Sequence, residues 1–248
     1  NGLPRPSWDL WEERRGVHTF TVAATIGALH AAAMFARDFG DLERGDEYDA
    51  AAERMREALL KYLWNPEQNR FARMATPIEE APDGGAGAAS APVHKPGNGP
   101  PPKVTGYRLD MTRDSANYAL FAFGALRAGN PMVMSEMQSL RERLWVRTPI
   151  GGCARYERDY YHMVERDNID AVPGNPWVIC TLWHAQHTIA LAKSPEELRQ
   201  AIPMLEWAAE KAKGSGVLAE QYHPYTGAPI SVSPLTWSHA TVVIAVIE

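Results

Sequence analysis

Stretches without a charged side chain alternate along this sequence with stretches charged on one side only. Residues 20–36 contain no Asp, Glu, Lys or Arg and are apolar all round, the pattern of a helix buried on every face. Gly40 is placed to end it. Residues 46–63 differ. Tyr48, Ala51, Met55, Leu59 and Tyr62 make one apolar stripe, while Glu53, Arg54, Arg56, Glu57 and Lys61 face elsewhere. The alternation repeats: residues 115–128 are uncharged except for Arg127, and residues 131–145 carry a stripe of Val133, Met137, Leu140 and Leu144. Residues 176–192 are again uncharged, and residues 195–213 are amphipathic through Leu198, Ile202, Leu205 and Ala209. Residues 237–247 return to the uncharged kind. Ser194 with Glu197 forms a capping pair, and Asn130-Pro131 and Asn175-Pro176 supply cap-then-proline starts.

The uncharged runs are shorter than about 20 residues and rich in Ala, Thr, Gly and His, so burial by other helices is expected rather than a membrane span. Dry helices alternating with half-wet ones, restarting about every 60 residues, predict an all-α toroid of helical hairpins with the dry helices as inner ring. Seven helices leave a ring of roughly a dozen open, and an open ring presents an apolar edge that calls for a partner. The missing initiating Met and the stop inside an apolar run suggest truncation at both ends. Two non-helical stretches interrupt the pattern. Residues 82–102, a Gly, Ala, Ser and Pro run, are expected to be a flexible insertion in one domain spanning 1–248. Residues 148–174 are long but rich in Tyr, Arg and Asp, the composition of a functional loop.

With 248 residues and 45% hydrophobic content the chain can bury a sizeable core. A formal charge of -5 and the lack of a Lys/Arg block argue against a nucleic-acid partner. The two cysteines, Cys153 and Cys180, leave open one bridge or two free thiols, and both cytoplasmic and secreted settings remain compatible. His184 and His187 stand three apart without a carboxylate in the same helix, so they read as inner-ring packing. No metal and no cofactor is expected.

In a ring of alternating helices, each segment preceding an inner helix emerges on one face. That brings together Trp8 to Arg15, Gly106 to Asp110, Gly152 to Tyr156 and Ala219 to Tyr222. They concentrate carboxylates, arginines and aromatic rings, which suits a sugar: its C–H faces stack on rings and its hydroxyls need charged partners. Glycosidic hydrolysis needs two carboxyl groups in unlike environments, one protonated and one ionised. Glu12 and Glu220 are the candidate pair. A helix N-terminus suits an ionised base at Glu220 and opposes an acid at Glu12, whereas Asp9, Glu13, Trp8 and Trp11 push Glu12 the other way. The competing reading makes both glutamates ordinary helix caps, Arg155 an ion-pair partner and the tryptophans core.

Pro6-Ser-Trp-Asp-Leu-Trp-Glu-Glu-Arg-Arg-Gly16 followed by Val17-His-Thr-Phe-Thr resembles the acid-bearing motif of glucoamylase-type enzymes, glycoside hydrolase family 15. Gly151-Gly-Cys-Ala-Arg-Tyr-Glu157 with Gly174-Asn-Pro-Trp177 resembles a second block of that family. Glu220-Gln-Tyr-His-Pro-Tyr-Thr-Gly227 with Ser233-Pro-Leu-Thr-Trp-Ser238 resembles a third. The order and spacing agree across essentially the whole chain. The resemblance implies an (α/α)6 barrel, with the seven helices standing for its sixth through twelfth. It implies Glu12 as general acid and Glu220 as general base of an inverting exo-hydrolase that releases β-glucose from α-glucosides. Starch-type oligosaccharides lead, with dextran-type saccharides or trehalose as alternatives. Trp11, Glu13, Arg155, Tyr156 and Trp177 are implied around the scissile bond and Asp9 as a support for the acid; Tyr222, beside Glu220, joins the candidate substrate contacts. The family's first five helices, an Arg-Asp clamp for the non-reducing sugar and an amino-terminal β-sandwich have no counterpart here. The other class of function is a non-catalytic glucoamylase-like scaffold or sugar sensor, of the kind in regulatory subunits of glycogen-metabolising kinases, or an inactive fragment that needs the missing amino-terminal half.

Overall fold

The computed structural model describes residues 2–79, 103–212 and 214–248. Two short strands, β1 (Ser7–Trp8) and β2 (Arg15–His18), lead into α1 (Thr19–Asp38). Gly40, at φ 82°, adopts the left-handed conformation that ends α1 and turns the chain into α2 (Leu42–Tyr62). Asp41 caps α2 by accepting from the Arg44 backbone N–H at 3.1 Å, so this helix starts four residues before its apolar stripe predicted. Next come the paired strands β3 (Trp64–Asn65) and β4 (Arg70–Phe71), then β5 (Met74–Glu79) and β6 (Val104–Asp110). The expected insertion at 82–102 lies outside the described residues.

The helical pattern did not foresee a four-stranded antiparallel sheet in the order β1-β2-β5-β6. Its strands are too short or too evenly half-buried to show the period of two that marks a strand. A second correction falls on residues 115–128. The full helix expected there is a 3-10 turn, Ser115–Tyr118, continued by the four-residue α3 (Ala119–Ala122). Gly124 at φ 72° stops it, and the Leu126 N–H turns back to the Leu120 carbonyl at 2.8 Å. This end abuts α1 so closely that a Cβ on Gly27 would stand 2.6 Å from the Phe123 carbonyl oxygen.

Asn130 caps α4 (Pro131–Leu144) with Pro131 in the first turn, as the sequence indicated. The same signal fails at Asn175-Pro176. There α5 (Val178–Leu191) starts two residues later: Asn175 Nδ2 donates to the His162 carbonyl and to Gln221 Oε1, both at 2.8 Å, and Oδ1, the atom a cap would use, is buried without a partner. Residues 195–213 form α6 (Pro195–Leu198), a 3-10 turn Arg199–Ala201 and α7 (Ile202–Lys211) rather than one helix. Pro203, which has no N–H to donate to the preceding turn, accounts for the break. The hairpin β7 (Gln221–Tyr222) and β8 (Pro229–Ile230) precedes α8 (Thr236–Ile247).

The dry helices differ in how dry they are. Every residue of α5 from Val178 to His187 is buried, between one apolar cluster built on α1, α2, α4 and the sheet and another built on α7 and Tyr222. His184 and His187 belong to this packing. His187 sits against the Phe121 ring and the Ala128 carbonyl, and burial holds the His184 imidazole down at about 3. By contrast α1 is 20 residues long, enough by length and composition to cross a bilayer, because it adds Thr19 and the charged Arg37 and Asp38 to the uncharged run 20–36. Only part of it is covered: Met34, Phe35 and Phe39 stand exposed, as do Val243, Ile244, Val246 and Ile247 on α8. The expected open apolar edge is therefore present, shared between the first and last helices.

Candidate active site

Asp9 organises the segment between β1 and β2. Its backbone N–H bonds the Arg14 carbonyl at 2.8 Å, and its Oδ1 accepts from the N–H of Glu13 at 2.7 Å and of Arg14 at 3.2 Å. Glu12 sits on the resulting turn at φ 60°, in the left-handed region, which for a non-glycine residue costs about 1–3 kcal/mol and persists only where neighbours over-determine it. Here the neighbour is the Asp9 carboxylate. Glu12 is exposed, and among the described residues its carboxylate forms no hydrogen bond or ion pair.

Glu13 points the other way and is fully engaged. Oε2 accepts from the Tyr156 hydroxyl at 2.6 Å and from Arg14 Nη1 at 2.6 Å, and Oε1 accepts from Arg155 Nη2 at 2.9 Å. Burial by itself raises a carboxyl pKa, but Tyr156, Arg155 and Arg14 outweigh it and hold Glu13 below the usual carboxylate range. The negative charge expected to act from Glu13 on Glu12 is thus compensated at its source. The helix-terminus argument also fails for both glutamates. Glu12 lies seven positions ahead of α1 and Glu220 well before α8, beyond the first turn in which a helix dipole acts.

Arg155 is the hub. Its guanidinium makes two bonds of 2.7 Å to Asp159 besides the one to Glu13, and it lies 4.8–5.0 Å from the centres of the Trp11, Tyr156, Tyr161 and Trp177 rings. Trp11 in turn meets Trp177 and Trp183 at 6.0 Å and Trp237 at 6.1 Å, and its indole N–H is shared between the two oxygens of Asp114 at 3.0 and 3.1 Å. Trp8 is the open indole of the pair, 61% exposed against 9% for Trp11.

Glu220 stands at the mouth of the β7–β8 hairpin, half-buried. Its N–H bonds the Val232 carbonyl at 2.9 Å, and the neighbouring Gln221 amide reaches its Oε2 at 3.5 Å. Successive backbone bridges run Trp145–Cys153–Trp177–Gln221, so the Arg155, Trp177 and Glu220 segments lie side by side. Three of the four expected segments therefore meet. The fourth, Gly106 to Asp110, is strand β6 and reaches the cluster through the Asp110–Arg73 ion pair, with Arg73 5.5 Å from the Tyr156 ring centre. Tyr222 lies apart from these contacts. Its side chain belongs to the second apolar cluster, and its hydroxyl bonds the Lys211 carbonyl and the Ala219 N–H, each at 3.0 Å. Sequence reading missed Asp114, Asp159, Arg73 and Trp237. Asp159 stood four residues beyond Arg155 and Asp114 at a helix start, signals too common to single either out.

Helical hairpins forming part of an (α/α)6 barrel, with carboxylates set about a wall of indoles and the buried Arg155 guanidinium, place the chain in the helical-barrel class of folds. The chain belongs to glycosyl hydrolase family 15: residues 3–247 match the family described as Glycosyl hydrolases family 15. An uncharacterized glycosyl hydrolase of Methanocaldococcus jannaschii is 24% identical over 98% of this chain and 34% of its own length. A glucoamylase of a Clostridium species is 25% identical over 97% and 33%. The chain thus spans about a third of the length of these curated relatives. Among solved structures, a bacterial glucoamylase complexed with acarbose superposes with a TM-score of 0.70 at 23% identity, covering 95% of this chain and 34% of that one. The glucoamylase of Saccharomycopsis fibuligera gives 0.66 at 18%, covering 98% and 57%.

Proposed function

We propose that this chain carries the acid and base of an inverting exo-glycosidase that releases β-glucose from the non-reducing ends of α-glucosides of the starch or malto-oligosaccharide type. The observation that carries the assignment of the acid is the division of labour in the turn. Asp9 and Glu13 are committed to hydrogen bonds, and Glu12 alone presents an unengaged carboxyl at its exposed apex. Glu12 protonates the leaving oxygen, and Glu220 draws the proton from the water that attacks the anomeric carbon. Trp11, Glu13, Arg155 and Trp177 form the wall against the scissile sugar, with Asp9 and Tyr156 holding that wall from behind. The likeness to a relative named as a glucoamylase supports the substrate class.

The substrate pocket is completed by a further part of the barrel, which covers the exposed faces of α1 and α8. The test is made in the native protein that carries this chain. Glu12→Gln and Glu220→Gln should each lower glucose release from maltotriose by about 10²- to 10⁴-fold, the usual contribution of general acid or base. Proton NMR should show the β-anomer first. An α-anomer first would replace inversion by retention. Unchanged release in Glu220→Gln would remove that residue as base, and a protein that binds maltotriose without cleaving it would be a sugar-binding scaffold.

A further inference from the structure

Behind the turn that bears Glu12 lies a small chamber, with Asp9, Trp11, His18, Arg73, Asp114 and Asn117 as its polar lining and Leu10, Phe20 and Ala116 as its apolar lining. The space open to the centre of a water molecule is about 10 Å³, room for one. Asp9, His18, Arg73 and Asp114 are 8%, 1%, 7% and 1% exposed. Five of their side-chain atoms are buried without a hydrogen-bond partner: Asp9 Oδ2, both ring nitrogens of His18, and Nε and Nη1 of Arg73. The Ser7 and Arg14 carbonyls lie beside the His18 ring without reaching hydrogen-bonding geometry. A buried polar atom left unpaired is costly, and native interiors meet that cost with ordered water wherever the space is polar and large enough. A carboxylate oxygen that accepts, a guanidinium that donates and an imidazole that does either offer one water its usual three partners. The volume excludes anything larger.

We propose that Asp9, His18 and Arg73 hold one ordered water in this chamber, and that through it His18 acts as a positioning residue for the turn bearing Glu12. The two oxygens of Asp9 divide the work. Oδ1 holds the Glu13 and Arg14 N–H groups, while Oδ2 is buried without a hydrogen-bond partner. Rotation of the carboxylate releases both N–H groups and with them the left-handed conformation of Glu12. A water bound to Oδ2 and His18 blocks that rotation. The role of the water in catalysis rests on the reading of Glu12 as acid; the water site itself does not.

Two measurements separate these parts. A crystal structure of the native protein, at a resolution that shows waters, should contain a peak about 2.7–3.2 Å from Asp9 Oδ2 and from a nitrogen of His18 or Arg73. Direct contact between those side chains, or an empty chamber, would overturn the site. For the positioning role, rates are compared on maltotriose, whose leaving group needs a proton, and on α-glucosyl fluoride, whose leaving group departs with little help. His18→Leu should lose about tenfold or more on maltotriose and stay within about threefold on the fluoride. His18→Gln, which keeps hydrogen-bonding atoms, should recover most of the loss and serves in place of His18→Leu if that variant does not fold. Equal losses on both substrates, or none, would overturn the positioning role. Full maltotriose activity in Glu12→Gln would instead remove the acid assignment and leave the density to decide the water site.

Discussion

The turn that bears Glu12, the proposed acid, and the hairpin that bears Glu220, the proposed base, are built by different means. Between Asp9 and Arg14 the chain is held mainly by side chains: the Asp9 carboxylate closes the turn, and Glu13 is anchored by Tyr156, Arg14 and Arg155. Around Glu220 the chain is held mainly by backbone. Glu220 bonds Val232, Tyr222 bonds Pro176, His223 bonds Ala228 and Leu235 bonds Leu218, all between main-chain atoms. A side-chain lattice holds a strained conformation and a set of charges, and single substitutions or pH can undo it. A backbone ladder is insensitive to both. The proton donor needs its electrostatic setting and orientation controlled, whereas the base needs mainly a fixed address, so the contrast matches the proposed roles.

The strongest test of that contrast is Arg155→Met. It leaves the fully buried Asp159 without its cation and Glu13 with Arg14 alone, and it should cost about 3–5 kcal/mol in denaturant unfolding. A loss under about 1 kcal/mol would show that the side-chain lattice is not what holds the acid side. Next is Asp114, whose carboxyl burial pushes up to about 6 against the bonds from Ala116 and Trp11 and the charge of Arg73. Its folded pKa is raised, so its contribution is complete below about 4 and is lost as pH rises to about 6. The shift corresponds to roughly 3 kcal/mol at 1.36 kcal/mol per unit. Asp114→Asn should flatten that stretch of the stability–pH curve. Glu13 acts in the opposite sense. Its folded pKa is lowered, so its stabilisation is present above the ordinary glutamate range and fades as pH falls below it, and Glu13→Gln should remove that acid limb.

Smaller effects separate the two segments further. Asp9→Ala should cost about 1–2 kcal/mol, as loss of a capping carboxylate does, with a larger proportional loss of maltotriose cleavage than of stability. Tyr222→Phe on the base side should cost only about 0.5–1.5 kcal/mol, and the backbone ladder should leave cleavage nearly unchanged. Substantial loss of cleavage in Tyr222→Phe would return that residue to the substrate contacts. The smallest change is Glu12→Gly, which relieves the left-handed strain and should raise stability by about 1 kcal/mol while removing the proton donor.

Local chemistry and periodicity determined much of this protein from its sequence. Uncharged runs marked α1, α5 and α8, Asn130-Pro131 marked a helix start, Gly40 marked a helix end, and the order of three motif blocks marked the family. Each depends on neighbours within a turn or two, or on residue order along the chain. Tertiary structure decided the rest. Asn175 is held through Nδ2 by His162 and Gln221 and caps no helix, Tyr222 turns into a second core, and Gly106 to Asp110 becomes a strand. Asp114 joins the site through an indole N–H more than a hundred positions away. The physical reason is that a hydrogen-bonding group takes the best partner within about 3 Å, and which partner stands there is set by packing among distant segments.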